Sequence, residues 1–394
     1  MKILMVSSYL PYPLYSGGNV RLYNIIKNLS KIHEITLICE KRANQREEEI
    51  EEVRKICRKV ITVDRGKQWS PANVLKSGFS TKSFLTTGHT HENFKQTIMD
   101  ELVREPYDLI HVETFYVMQN LPSVSIPVVL VEHNIEYMVY EKYAKNAKAF
   151  IRPLLYADIF KMKREEENAW KKADRLVAVS NLERQLMKRA DTVTVPNGVD
   201  TNVYLYRDVK DVPSEKRVLF IGDFKWMQNR DALETILKEI WPEVERRIGD
   251  LNINLKLWIV GRNLQSKFKD MTDSPNVIFD EDNKDETKDI YAKSYILLAP
   301  LKVAGGTSYK ILESMASGVA VVTTNLGISG IEAKSNVHVL AGDTYQMAGM
   351  VIELLTDKSL YEKLTLNARR LIEENYDWVS IAKKLNEVYL SCTE

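Results

Sequence analysis

Cysteine is nearly absent from this 394-residue chain: Cys39, Cys57 and Cys392 are the only three, odd in number and scattered. That spacing suits neither a disulfide framework nor a cysteine-based metal or redox motif, and the expectation is a reducing compartment, the cytoplasm, without structural disulfides. No apolar run approaches the roughly eighteen residues needed to span a bilayer, so membrane contact is expected to be peripheral at most. The opening Met1-Lys2-Ile3-Leu4-Met5-Val6-Ser7 is too short for a signal peptide and meets Pro11 and Pro13 soon afterwards, so it reads as a first strand. An excess of one charge is missing too. Lys+Arg number 55 against 54 Asp+Glu, a net charge of +1, which excludes the composition of a nucleic-acid binder.

What is present is an ordinary globular composition, 44% apolar and 28% charged, in a chain long enough for two or three domains. Short apolar runs alternate with helical patterns: 3–6, a helix over 19–29, 35–39, a charged helix over 47–57, 60–63, 109–112 and 128–131. Residues 66–105 read as loop plus one helix over 92–104, and 144–172 as a long basic helical stretch. A second series begins at 218–222 and runs through a helix over 230–240 and strands at 255–260, 277–279, 295–299 and 319–323 to a helical end. Such alternation predicts parallel sheets covered on both faces. The turn Pro196-Asn197-Gly198 and the polar residues after it mark the best boundary. The predicted fold class is therefore α/β with two Rossmann-like doubly wound domains, 1–198 and 199–376. A final helix, 377–394, is expected to pack back toward the first domain. In tandem domains of this kind a ligand crevice is expected at the carboxyl ends of the strands.

Residues 300–318 say most about chemistry. A buried strand ends, Gly305-Gly306 offer a tight turn, Thr307 and Ser308 are candidate caps, and a helix follows that carries Lys310 and Glu313 about one turn apart. Free N–H groups at a helix start bind anions, so Gly305, Gly306 and Thr307 are candidates for a β-phosphate. Lys310 would meet phosphate, and Glu313 would accept hydrogen bonds from ribose hydroxyls. The bland alternative is a surface ion pair on an amphipathic helix. Gly17 and Gly18 suit a second close approach to phosphate. Arg262, Lys310, Arg230 and Lys225 are the cations available to a diphosphate, Arg262 with the alternative of a solvated surface residue. Backbone near Phe279 and Asp280 is a candidate for contacting the base, and Asp280-Glu281-Asp282 reads as a solvated loop rather than a metal site. His133 follows the strand at 128–131, where ligands bind in such sheets, with Glu132 and Asn134 beside it.

Several motifs together resemble the family 4 retaining glycosyltransferases, enzymes of GT-B architecture with two facing Rossmann-like domains. They are Ser16-Gly17-Gly18, His33-Glu34-Ile35-Thr36-Leu37, Glu132-His133-Asn134, Val179-Ser180-Asn181, Pro196-Asn197-Gly198-Val199-Asp200, Val260-Gly261-Arg262, and Leu312-Glu313-Ser314-Met315-Ala316-Ser317-Gly318. The resemblance implies transfer of a sugar, with retention and without a metal or cofactor, from a nucleotide diphosphate sugar whose base (uracil, guanine or adenine) stays open. It implies that His133 touches the transferred sugar, that Lys310 supports the leaving group and that Glu313 binds the ribose. Two departures stand out. The family's frequent earlier glutamate is replaced by Gly305, and its phosphate-binding Gly-Arg/Lys motif is missing from 222–230. The acceptor is expected to be a glycan, lipid-linked or small molecule, and the basic, aromatic region 142–172 is a candidate for peripheral membrane contact. A nucleotide-sugar epimerase on the same fold and a non-catalytic nucleotide-sugar-binding subunit are the alternatives.

Overall fold

The computed structural model describes the whole chain except Asn146, 209–214, Asp250, Asn252, 303–306 and Glu394. The chain divides into two compact units, Met1–Pro196 with Ile381–Glu394, and Asn197–Ser380.

The first unit is built on strands β1 (Lys2–Ser7), β2 (Glu34–Lys41), β3 (Lys59–Asp64), β4 (Leu109–Glu113), β5 (Val128–Glu132), β6 (Arg175–Ala178) and β7 (Val193–Thr194). All are parallel, in the order β3-β2-β1-β4-β5-β6-β7. The apolar runs of β1, β4 and β5 are buried throughout or nearly so, as strands covered on both faces must be. β1 lies between β2 and β4, with Ser7 opposite Cys39 on one side and Glu113 on the other. The strand order reverses there, the place where open parallel sheets of this kind bind ligands.

The second unit repeats the plan with β8 (Lys216–Ile221), β9 (Leu255–Val260), β10 (Val277–Asp280), β11 (Ile296–Ala299), β12 (Ala320–Thr323) and β13 (Leu340–Ala341), in the order β10-β9-β8-β11-β12-β13. Its reversal point lies at β8, between β9 and β11. Each unit has its own apolar core.

Several elements differ from the sequence expectation. The first helix starts at Gly17 rather than Asn19, because Ser16 caps it by accepting the Asn19 N–H. Two further helices, Pro71–Gly78 and Phe84–Gly88, occupy the stretch expected to be loop. Each opens on a serine cap, and both are too short to show a period. The basic stretch is two helices, Glu136–Lys145 and Arg152–Lys172, the second with Pro153 in its first turn. The helix expected over 230–240 runs from Met227 to Ile248 with a π turn at Ile236–Ile240, just before Pro242, which has no N–H to give. Among the described residues no helix is long and apolar enough to cross a membrane.

Candidate active site

In the second unit, the chain leaving β8 and the chain leaving β9 come into direct contact. Gly261 has φ +146°, and a Cβ there would sit 1.8 Å from the Gly222 carbonyl oxygen, so only glycine fits. Gly222 in turn makes room for Asn229, whose amide nitrogen would be 2.7 Å from a Cβ at that position. Asn229 donates to the Asp223 carbonyl (2.9 Å) and accepts from Lys310 Nζ (2.9 Å). Lys310 also lies over the Phe220 ring, 4.9 Å from its centre. Burial lowers its ammonium to about 8, against the pull of Glu313.

Glu313 shares the helix Tyr309–Ala316 with Lys310. Its two oxygens each accept a phenol: Oε1 from Tyr204 (3.0 Å) and Oε2 from Tyr291 (3.1 Å). Burial pushes its carboxyl up to about 7, and the two phenols and Lys310 offset only part of that rise. Thr307 is buried, with Oγ1 3.5 Å from the Gly330 carbonyl. Gly305 and Gly306 lie outside the described residues.

The other cations are placed differently from one another. Arg230 donates through Nη1 to the Phe224 (2.9 Å) and Lys225 (2.6 Å) carbonyls and braces the loop after β8. Arg262 is largely exposed and 3.9 Å from Asp223, which also pairs with Lys225 (3.3 Å) and accepts from Asn263 (2.7 Å). Phe279 packs against the core of this unit, while Asp280 accepts from Trp258 Nε1 (3.1 Å) and Asn283 (2.6 Å).

In the first unit, His133 follows β5 and its Nε2 is hydrogen-bonded to Glu113 Oε2. Glu113 Oε1 is 3.0 Å from His111 Nε2, and His111 Nδ1 is 2.6 Å from the Tyr389 hydroxyl. Glu113 is fully buried. Burial alone would raise its carboxyl, but the imidazoles of His133 and His111 outweigh it and hold the group well below the usual carboxylate range. Thr114, next in sequence, is held at φ 72°, a strained conformation for a β-branched residue. Gly18 brings the first helix against this group: a Cβ there would lie 3.0 Å from the Tyr9 hydroxyl and 3.4 Å from His133 Cε1. Gly17 opens the same helix. Glu132 points away from His133 and accepts from Trp170 Nε1 (3.1 Å) and the Phe115 N–H (3.3 Å); burial and the neighbouring Glu166 hold its carboxyl well above the usual range.

The structure thus places Lys310 and Glu313 on one helix and Gly18 beside His133. It adds Asn229, Tyr204, Tyr291, Glu113, His111 and Tyr389. Of these, His111 and Glu113 had a visible signal: two polar residues, two apart, on one side of an otherwise apolar strand.

This fold, two doubly wound parallel sheets in one chain, defines a class, the GT-B glycosyltransferases. Family comparisons agree: Glycosyltransferase Family 4 matches residues 15–203 and Glycosyl transferases group 1 matches residues 215–357. A Klebsiella pneumoniae protein described as an uncharacterized 44.6 kDa protein in cps region is 22% identical over 390 residues, 95% of this chain and 96% of its own. Among solved structures, sucrose-phosphate synthase from Thermosynechococcus elongatus superposes with TM-score 0.69 at 16% identity over 99% of both chains. HepE from Anabaena, in complex with UDP and glucose, does so with TM-score 0.66 at 14% identity over 99% of this chain and 100% of its own. The chain belongs to the group 1, family 4 glycosyltransferases.

Proposed function

We propose that the protein is a retaining, metal-independent glycosyltransferase that moves a hexosyl or related group from a nucleoside diphosphate sugar to a glycan, lipid-linked or small-molecule acceptor. The observation that carries this reading is the pair on the helix Tyr309–Ala316: a cation and a carboxylate one turn apart, at the strand-order reversal of a Rossmann-like sheet. HepE's complex with UDP and glucose supports a nucleotide-sugar donor. The cps region of the Klebsiella relative supports a role in cell-surface polysaccharide or glycoconjugate synthesis.

In this reading Glu313 accepts the ribose hydroxyls, while Lys310, Arg262 and the N–H groups around Gly305, Gly306 and Thr307 stabilise charge on the leaving diphosphate. Arg230 acts through the loop that it braces. Gly17 and Gly18 admit the phosphate side of the donor to the first helix, and His133 meets the transferred sugar. Backbone beside Phe279 contacts the base. Asn229 positions the Lys310 ammonium.

A donor panel of UDP-, GDP- and ADP-sugars tests the reading. Release of nucleoside diphosphate is expected from one donor class, undiminished by EDTA and lost in Glu313→Ala and His133→Ala. A product NMR spectrum with the opposite anomeric configuration would sink retention. A changed sugar still attached to its nucleotide would identify an epimerase, and binding with no turnover a non-catalytic subunit.

The site of action is proposed to be the inner face of the membrane. On and beside the helix Arg152–Lys172, Phe150, Leu154 and Phe160 are 77%, 74% and 71% exposed, among Lys142, Lys145, Lys148, Arg152, Lys163 and Arg164. Phe79 and Leu75 of the neighbouring short-helix segment are exposed too, and Lys161 Nζ donates to the Ser77 carbonyl (2.7 Å) to tie the two segments together. Apolar side chains bordered by cations suit an anionic bilayer surface. Cosedimentation with phosphatidylglycerol vesicles but not with phosphatidylcholine vesicles is expected, and equal behaviour with both would overturn it.

A further inference from the structure

The Glu313 carboxylate is not free to turn. Tyr204 occupies one oxygen and Tyr291 the other, and Tyr291 also lies 3.2 Å from the Lys310 carbonyl, which fixes its ring against the helix. The two rings stand edge to face, 6.0 Å between centres. Tyr204 belongs to the segment that opens the second unit, and its backbone is tied down: Arg369 donates to the Tyr204 and Ala316 carbonyls, 2.7 Å each, and to the Thr201 carbonyl at 3.3 Å.

A carboxylate oxygen has two lone-pair sites. With one phenol on each oxygen, the described residues leave one acceptor site per oxygen, in a fixed plane. That is the complement of two adjacent hydroxyls, the 2′,3′-diol of a ribonucleotide. We propose that Tyr204 and Tyr291 are positioning residues that set the Glu313 carboxylate to receive the ribose diol and so select ribo- over deoxyribonucleotides. The inference rests on Glu313 being the ribose-binding group.

Among the described residues, the ionisable groups around this carboxyl are Tyr204, Tyr291 and Lys310, with Asp200 behind Tyr204. Because a phenol hydrogen bond favours the charged form, losing one moves the carboxyl's titration upward. A side chain that served packing alone would leave that midpoint where it was.

The test is calorimetric binding of UDP, GDP and ADP, followed by the 2′-deoxy form of the tightest, to wild type, Tyr204→Phe, Tyr291→Phe, Glu313→Ala and Tyr204→Phe/Glu313→Ala, with melting checked for each. Each Phe variant is expected to bind the ribonucleotide about 5- to 10-fold more weakly, a hydrogen bond of ordinary size. Its 2′-deoxy form should be bound nearly as in wild type, and the pH midpoint of binding should move up. In the Glu313→Ala background Tyr204→Phe should add nothing. Weak binding by Glu313→Ala, with unchanged ribose discrimination in both Phe variants, would overturn the clamp while leaving the site intact. Wild-type binding by Glu313→Ala would overturn the site reading and the clamp with it.

Discussion

Gly261 shows how little latitude single residues have in the loops after β8 and β9. Its φ of +146° and the 1.8 Å approach of a Cβ to the Gly222 carbonyl leave no adjustment short of moving β8 from β9. Gly261→Ala is expected to cost about 3 kcal/mol or more, read as a fall in the denaturant midpoint. Glu313 makes a different point. Its carboxyl holds its proton up to about 7, against an ordinary 4.5. A group that binds a proton more tightly folded than unfolded lends stability below the unfolded value and gives it up as pH rises through the folded one. Stability of the nucleotide-free protein should therefore decline between about pH 4.5 and pH 7, and Glu313→Gln should flatten the slope in pH-dependent melts. Under the proposed role of Glu313 in ribose binding, donor affinity should run the other way over the same interval, because the carboxylate form accepts hydroxyls. Lys310, lowered to about 8, should regain its proton when a diphosphate arrives. Calorimetry near pH 8.5 in buffers of different ionisation enthalpy should register that proton uptake. Glu113→Gln removes the charge between His111 and His133. A fall in kcat of at least about tenfold, larger than the change in KM, is expected.

Among elements, the C-terminal helix Trp378–Thr393 acts beyond its own length. Ile381, Leu385 and Tyr389 are buried, His33 is hydrogen-bonded to Asn386 (2.6 Å), and Tyr389 reaches His111. Deleting 381–394 uncovers apolar side chains whose burial contributes about 1.5–3 kcal/mol each, comparable with the whole margin of a typical domain. Loss of soluble protein on expression is the expected result. Tyr389→Phe, which keeps the ring, should cost only about 1 kcal/mol in a denaturant melt. Elements of this kind were legible where a pattern was local. Strands of Val, Ile and Leu such as β5 and β11 announced themselves, as did Lys310 and Glu313 after a strand and a glycine pair. The two-residue β13 and the short helices Pro71–Gly78 and Phe84–Gly88 carry too few residues for a period to emerge. Glu113 could have been found from strand alternation. Tyr204 and Tyr291 could not, because only the tertiary fold carries residues so far apart in sequence to one carboxylate.

At the scale of the whole molecule, two units with separate cores imply two stabilities. A nucleoside diphosphate at a hundredfold its dissociation constant adds about 2.7 kcal/mol to whatever it binds. Scanning calorimetry with a bound diphosphate should accordingly raise the transition of Asn197–Ser380 more than that of the first unit, and equal shifts would count against a diphosphate site in the second. The division of the chain also has a temporal side. Met1–Pro196 leaves the ribosome before Asn197–Ser380, yet Ile381–Glu394 belongs to the same unit. The first unit is thus begun before the second and completed after it, and during synthesis the bed of Tyr389 and Leu385 stays open until the entire second unit has been translated. A nascent chain of this protein therefore keeps that apolar bed uncovered on its N-terminal half until residues 381–394 have been made.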